Sequence, residues 1–389
     1  MIDKNEIEKK VTDRFLKYVS FDTQSNEDSN TSPSTSKQLE LAKYLKEEWE
    51  SIGLSNVIMD EFGYVYATLP ASEGYEDKKV LGFFAHQDTA PDAPGNDIKT
   101  HISEEDGKHI IRTDKSTLLG ADDKAGLSEM VTAMEIMIND KSLLHPEIRI
   151  VATNDEEIGR GVDHIDLEKV KAAYGFTVDG STVGDLEYEC FNAASCTATF
   201  KGYSIHTGDA YGVMKNAVLM ANDFVEALPK EMNPALTKDR EGFIHPYNIQ
   251  GNVSKAQVQF LLRDFDTEKL ENQKFIMNDI CHKINNKYGM GTCSVAISDT
   301  YQNMRKKIVP EYEFLLDYVR ETYKELDIEP IETPIRGGTD GATLSYMGLP
   351  CPNLGTGAVD YHSVNEHIAT EDLEKVTEVI IKLSEKFIR

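Results

Sequence analysis

The chain has 389 residues, of which 67 are acidic and 41 basic, giving a formal net charge of −26. That excess repels phosphate backbones and anionic headgroups over a Debye length, which makes nucleic acid and membrane surfaces poor partners. No stretch approaches the ~20 apolar residues that span a bilayer. The five cysteines, Cys190, Cys196, Cys281, Cys293 and Cys351, form no C-x-x-C pair, and the N-terminus is charged throughout, so a soluble cytoplasmic protein is expected.

A single core rarely grows to this length, so two domains are expected. Residues 4 to 20 carry Ile7, Val11, Phe15, Leu16 and Val19 at helical spacing, and Ser36 to Trp49 repeats the pattern. Between them lies a polar loop. Short β runs follow at 57–59 and 64–69, then VLGFFAH from Val80, a near-continuous apolar stretch of the kind buried in a parallel or mixed sheet. ADDKAGLSEMVTAMEIM from Ala121 predicts a buried helix, and IRIVATND from Ile148 another buried strand. Strands alternating with helices define an α/β layered domain.

After about Phe191 the pattern changes. ASCTATFKG and VSKAQVQFLLRDFD alternate as strands with one wet face, with helical stretches KNAVLMANDFVEAL and TEKLENQKFIMNDICHKINNKYG beside them. From about Val309 the α/β texture returns, with a helix over 311–326 and a last one over 371–388. The fold class read here is α/β: a catalytic domain with a mixed sheet flanked by helices, in two parts (1–192 and 309–389), interrupted by a smaller α+β domain over 193–308.

The residues with chemistry fall at the ends of the apolar runs. FFAHQD leads into His86 and Asp88, which share a strand face, so a carboxylate stands beside a possible imidazole ligand. TLLGADDKAG places Asp122 and Asp123 at a helix mouth, where one carboxylate can bridge two cations and where, equally, either could be an ordinary helix cap. VATNDEEIGRG ends in Asp155, Glu156 and Glu157; three adjacent carboxylates belong in open solvent or beside a cation. FTVDGSTVG holds Asp179, which an Asp-Gly turn would also explain, and TGAVDYHSVNEHI carries His362 and His367 in a loop. Each motif taken singly has an ordinary explanation. Their recurrence at strand ends across one α/β domain points to a metal site.

These residues resemble the co-catalytic two-zinc aminopeptidase and carboxypeptidase superfamily, and within it the peptidase T family of tripeptide aminopeptidases. TLLGADDKAG, TVDGSTVGDLEYECFNAAS, RDFD at 263–266 and IRGGTDGATLSYMGLPCPNLGTG carry the likeness, which runs from the first helix to the last. The resemblance implies two Zn2+ per subunit, with Co2+ or Mn2+ able to substitute. His86, Asp122, Glu157, Asp179 and His362 would be ligands, Asp122 bridging across a cis Asp122–Asp123 peptide. Asp88 would clamp His86, Glu156 would be the general base, and His206 would stabilise the oxyanion from a partner subunit. Arg336 would pair with a substrate carboxylate and Asn216 would touch substrate. The inserted domain would be a lid and the contact of a homodimer, and small peptides the substrates. His206-Thr207-Gly208 departs from the family's His-Pro-Gly, and YHSVNEH from its Tyr-His-Gly-Lys-His-Glu. A dipeptidase or carboxypeptidase of the same superfamily shares this metal shell, and a non-catalytic metal-binding scaffold is the reading from another class.

Overall fold

The structure is a computed structural model that describes residues 3–389. It divides into two compact units. The first comprises the chain up to Tyr188 with Met304–Thr333 and Thr339–Arg389; the second comprises Glu189–Asn303 with Pro334–Gly338. The second unit therefore starts at Glu189 and closes at Asn303, where 193 and 308 were the expected limits. The Pro334–Gly338 segment joins it because the Ile335 N–H donates to the Glu189 carbonyl at 2.8 Å, a pairing of residues too distant in sequence for periodicity to register.

The first unit is built on a seven-stranded mixed sheet. Its order is Ser55–Met59, Val65–Leu69, Ile148–Thr153, Leu81–His86, Tyr174–Gly180, Asn353–Gly355 and Leu186–Glu187. The four strands from Ile148 to Asn353 in that order run parallel, and antiparallel neighbours flank them. Leu81–His86 is buried at all six positions, as its unbroken apolar run requires of a central strand covered on both faces. The helix Ala121–Asn139 packs on this sheet and under Lys4–Val19 and Thr370–Ser384. Being apolar on nearly every side, it is a core helix. Lys4–Val19 instead buries Ile7, Val11, Phe15, Tyr18 and Val19 along one stripe. A three-stranded antiparallel sheet of His367–Ala369, Lys108–Thr113 and Thr100–Glu105 completes the unit.

The second unit is a four-stranded antiparallel sheet in the order Phe243–Gly251, Lys255–Asp264, Asn192–Lys201, Cys293–Asp299. Lys255–Asp264 alternates between buried and less buried positions along its length. Its inward residues Val258, Phe260 and Leu262 meet Met220 and Phe224 of the helix Ala217–Glu226 and Met277 and Ile280 of Thr267–Tyr288. One face is thus covered by helices and the other is wet, as the alternation predicts.

Candidate active site

Because the central strands run parallel, their C-terminal ends lie along one edge of the sheet, where chains leaving neighbouring strands converge. His86 ends the Leu81 strand and is 2% exposed. Its Nδ1 lies 3.2 Å from the Asp88 carbonyl and 3.3 Å from Asp88 Oδ1. Its Nε2 faces Asp122 Oδ1 at 3.0 Å and Asp179 Oδ1 at 3.4 Å. Asp179 lies in the Tyr174–Gly180 strand next door, one residue before its end. Asp122 enters from the mouth of the Ala121–Asn139 helix, where Gly120 takes the left-handed φ of +76° and the Asp122–Asp123 peptide is cis. Asp123 turns away from this cluster, accepting the His86 N–H at 3.1 Å and the Gly126 N–H at 3.1 Å.

The second cluster shares Asp122. Its Oδ2 lies 3.3 Å from His362 Nε2, and that same nitrogen lies 2.8 Å from Glu157 Oε2. Glu157 sits in the single turn Glu156–Ile158 that follows the Ile148 strand. The other Glu157 oxygen, Oε1, is buried with no hydrogen-bond partner among the described residues. His362 stands at a left-handed φ of +60° in the loop before the last strand. The atoms that His86, Asp122 and Asp179 could offer a cation, and those that Asp122, Glu157 and His362 could offer, each lie within 4.8 Å of one another.

The three carboxylates of the Asp155-Glu156-Glu157 run go three ways. Asp155, at φ +56°, turns back into the fold and accepts from the Ser34 N–H at 2.6 Å, the Ser34 hydroxyl and Gln38 Nε2 at 2.6 Å. Glu157 joins the second cluster. The Glu156 backbone N–H donates to Asp88, and its carboxylate, buried close to Asp179 and Asp340, makes no hydrogen bond or ion pair among the described residues. Burial first, and then the Asp179 and Asp340 carboxylates, push the Glu156 pKa well up. Burial likewise raises Glu157 to about 8 and Asp179 to about 6. Hydrogen bonds that the charged ring donates to the Asp122 and Glu157 carboxylates lift His362 to about 11. For His86, burial opposes the charged form, but Asp179, Asp122 and Asp88 outweigh it and raise the pKa. Asp122 is the exception among the acids: burial would raise it, yet His362 and His86 together hold it well below the usual range.

This donor set fits divalent cations. It consists of nitrogen and carboxylate oxygen, the ligands of zinc and its neighbours. A tetrahedral ion with ~2.0–2.1 Å bonds separates its ligand atoms by about 3.3 Å, close to the 3.0, 3.4 and 3.3 Å seen around Asp122 and His86. The unpartnered Glu157 oxygen and the mutually raised carboxylates are what such a site looks like when its positive charge is subtracted.

Two further acids close the region. Asp340, 7% exposed, accepts from the Thr153 hydroxyl at 3.0 Å, and burial raises it to about 7. Gly161 makes room for it, since a Cβ there would sit 2.0 Å from Asp340 Oδ1. Glu366, 2% exposed, accepts from the backbone of the Asp122 turn. Neither stood out in the sequence. Asp340 lay inside the quoted Gly-rich segment, and Glu366 follows His362 by one turn of loop beside the more conspicuous His367. The His367 ring faces the Asn365 carbonyl at 2.9 Å and belongs to neither cluster.

The three remaining expected residues lie in the second unit. The His206 ring is 79% exposed, and its Nδ1 accepts the Gly208 N–H at 3.1 Å, which leaves Nε2 as the N–H of the neutral ring. Asn216 caps the Ala217–Glu226 helix, its side chain accepting the Val218 N–H at 2.9 Å. Arg336 donates to the Asp239 and Glu241 carbonyls and the Thr237 hydroxyl, and its guanidinium stacks 5.1 Å from the Phe191 ring centre.

A parallel-centred α/β unit with two ligand clusters sharing one aspartate, and a separate α+β unit, is the architecture of the two-unit metallopeptidases. The model of "Peptidase family M20/M25/M40" matches residues 82–386, and the chain belongs to that family. It is 44% identical to Peptidase T of Clostridium perfringens (strain 13 / Type A), over 96% of this chain and 98% of the relative. It is 42% identical to Peptidase T of Bacillus mycoides (strain KBAB4), over 98% and 99%. The solved aminopeptidase PepT of Bacillus cereus ATCC 10987 superposes with a TM-score of 0.81 at 24% identity, covering 98% of this chain and 99% of that one. The Bacillus subtilis YXEP protein, described as a dinuclear metal binding peptidase, superposes with a TM-score of 0.71 at 14% identity, covering 98% of both. The fold is shared with both structures.

Proposed function

We propose that the chain is a cytoplasmic, homodimeric metallo-aminopeptidase that removes the N-terminal residue of tripeptides. The observation that carries this reading is the division of one carboxylate between two histidines: Asp122 Oδ1 lies 3.0 Å from His86 Nε2, and Oδ2 lies 3.3 Å from His362 Nε2. The curated relatives named Peptidase T, alike over nearly their whole length, support the substrate class. No helix among the described residues is long and apolar enough to cross a membrane, and all five cysteines are free and buried, which supports a reducing compartment.

Two zinc ions, one held by His86, Asp122 and Asp179 and the other by Asp122, Glu157 and His362, would polarise the scissile carbonyl and acidify water. The remaining work falls to side chains. Glu156, whose carboxylate has no partner among the described residues, accepts the proton of the attacking water and returns it to the leaving amine. Asp88 holds the His86 ring in one tautomer. His206, in the lid of a partner subunit, donates its Nε2–H to the oxyanion. Arg336 and Asn216, on that same unit, meet the substrate's far end.

Replacing Glu156 with Ala tests the base. Two zinc ions per subunit should remain by elemental analysis while turnover falls by about 10²–10⁴-fold; near-normal turnover refutes the assignment. A panel of dipeptides, tripeptides and tetrapeptides with free and acylated amino termini tests the substrate class, and cleavage of the acylated set would move the enzyme to the carboxypeptidases.

A further inference from the structure

The carboxylate of Glu366 receives three backbone N–H groups. Leu119 and Gly120 donate to Oε2, both at 2.7 Å, and Asp122 itself donates to Oε1 at 3.0 Å. The residue is 2% exposed, so these bonds form away from competing water. Four residues earlier on the same loop, His362 places its Nε2 3.3 Å from Asp122 Oδ2. One loop therefore grips Asp122 at both ends, by its peptide nitrogen through Glu366 and by its carboxylate through His362.

The grip is needed because the turn it holds is irregular. Gly120 is left-handed at φ +76°, and Asp122 lies at φ −84° and ψ 106°, outside the helical range, so regular helix geometry does not set its position. His362 is also left-handed, at φ +60°, and its loop returns to the sheet through His367, whose N–H and carbonyl pair with Val359 at 3.0 Å each. Neither the Asp122 turn nor the His362 loop is regular by itself. Glu366 joins them.

We propose that Glu366 is a positioning residue that sets the bridging carboxylate of Asp122 against His362. It governs affinity for the cation held by Asp122, Glu157 and His362 more than for the one held by His86, Asp122 and Asp179. The inference rests on the two-cation reading above. The asymmetry follows from where the ligands are anchored. His86 and Asp179 stand on neighbouring central strands and keep their places without Glu366. Asp122 and His362 stand on the two irregular segments it ties together. Three converging N–H groups need acceptors on both side-chain oxygens, which a carboxylate supplies and an amide does not, because glutamine turns an NH2 toward one of them.

The test titrates apo protein with Co2+, following visible absorption and calorimetry, in wild type, Glu366→Gln and Glu366→Asp. Wild type should take up two cations per subunit. In Glu366→Gln the first step should hold its wild-type affinity and the second should weaken by about 10–100-fold, with kcat recovering at saturating Co2+. A folded Glu366→Gln protein that binds both cations as wild type does overturns the proposal. So does equal weakening of both steps, or failure of both variants to fold, since either marks a general structural role. A wild type that binds fewer than two cations refutes the two-cation reading itself and takes this proposal with it.

Discussion

The Asp88 carboxylate accepts the backbone N–H of Glu156 at 3.1 Å, and its second oxygen accepts that of Glu157 at 3.3 Å. The first oxygen also lies 3.3 Å from His86 Nδ1. A single fully buried carboxylate thus connects the end of the Leu81 strand to the turn after the Ile148 strand. The contact with the His86 ring is half of what it does. The other half caps the N–H groups of a turn too short to satisfy them itself.

Removing that carboxylate should therefore hurt more than the loss of a ligand's hydrogen bond. In Asp88→Ala, zinc affinity should fall by about 10–100-fold. Turnover at saturating zinc should remain depressed, because the turn that carries Glu156 is no longer held. Asp88→Asn keeps one acceptor and should recover part of the affinity. Competition with a chromophoric chelator reads affinity, and steady-state kinetics at saturating zinc reads the second effect; full recovery of kcat in Asp88→Ala would show that Asp88 serves His86 alone.

Gly126 offers a test of how the buried helix positions Asp179. A Cβ at that position would lie 1.8 Å from the Val178 carbonyl oxygen, so the helix packs against bare backbone of the strand that carries Asp179. Gly126→Ala must push the two apart. It should cost about 1–3 kcal/mol by denaturant unfolding and weaken zinc binding as well, since the displaced carbonyl belongs to the residue before Asp179. Wild-type zinc affinity in a destabilised Gly126→Ala protein would show that the strand end absorbs the shift.

The buried strands and the residues of the two clusters were legible because one pattern marked both: apolar runs such as LGFFAH and IRIVAT ending in acids or histidine. The hairpin of Thr100–Glu105 and Lys108–Thr113 was not read, although Asp106 and Gly107, both at positive φ, supply the turn signal between its strands. Its residues are mostly exposed and carry no apolar alternation. The strand Phe243–Gly251 was missed for a different reason. It lies at a sheet edge and contains Pro246, which an edge strand tolerates and a sequence pattern reads as a break. Glu366 and the second role of Asp88 were invisible because their partners are backbone N–H groups, which every residue has and no motif records.

His206 gives a test of subunit cooperation in the proposed mechanism. With Nδ1 occupied by the Gly208 N–H, its free Nε2–H is available as a donor, and His206→Ala should lower kcat by about 10²–10³-fold with zinc content unchanged. Mixing His206→Ala subunits with Glu156→Ala subunits separates the two arrangements. If the histidine acts across a dimer, each mixed dimer holds one site with both groups intact and activity returns. If it acts within its own subunit, every site lacks one group and the mixture stays inactive.

Glu129 sets a pH dependence of stability away from the ligands. It is fully buried in the Ala121–Asn139 helix, and neither carboxylate oxygen has a hydrogen-bond partner among the described residues. Burial, with a smaller push from Asp372, holds its pKa well above the ordinary glutamate value of 4.5. Folding therefore favours the protonated form. Below 4.5 both folded and unfolded chains carry the proton and Glu129 costs nothing. As pH rises past that value the unfolded chain ionises first, so its contribution turns destabilising and grows until the folded pKa is reached. Glutamine in its place is neutral at every pH. The melting temperature of Glu129→Gln should match wild type near pH 4 and exceed it increasingly toward pH 8, measured on zinc-loaded protein in both cases. A constant difference across that range would mean that a water or a shifted side chain already satisfies the ionised carboxylate.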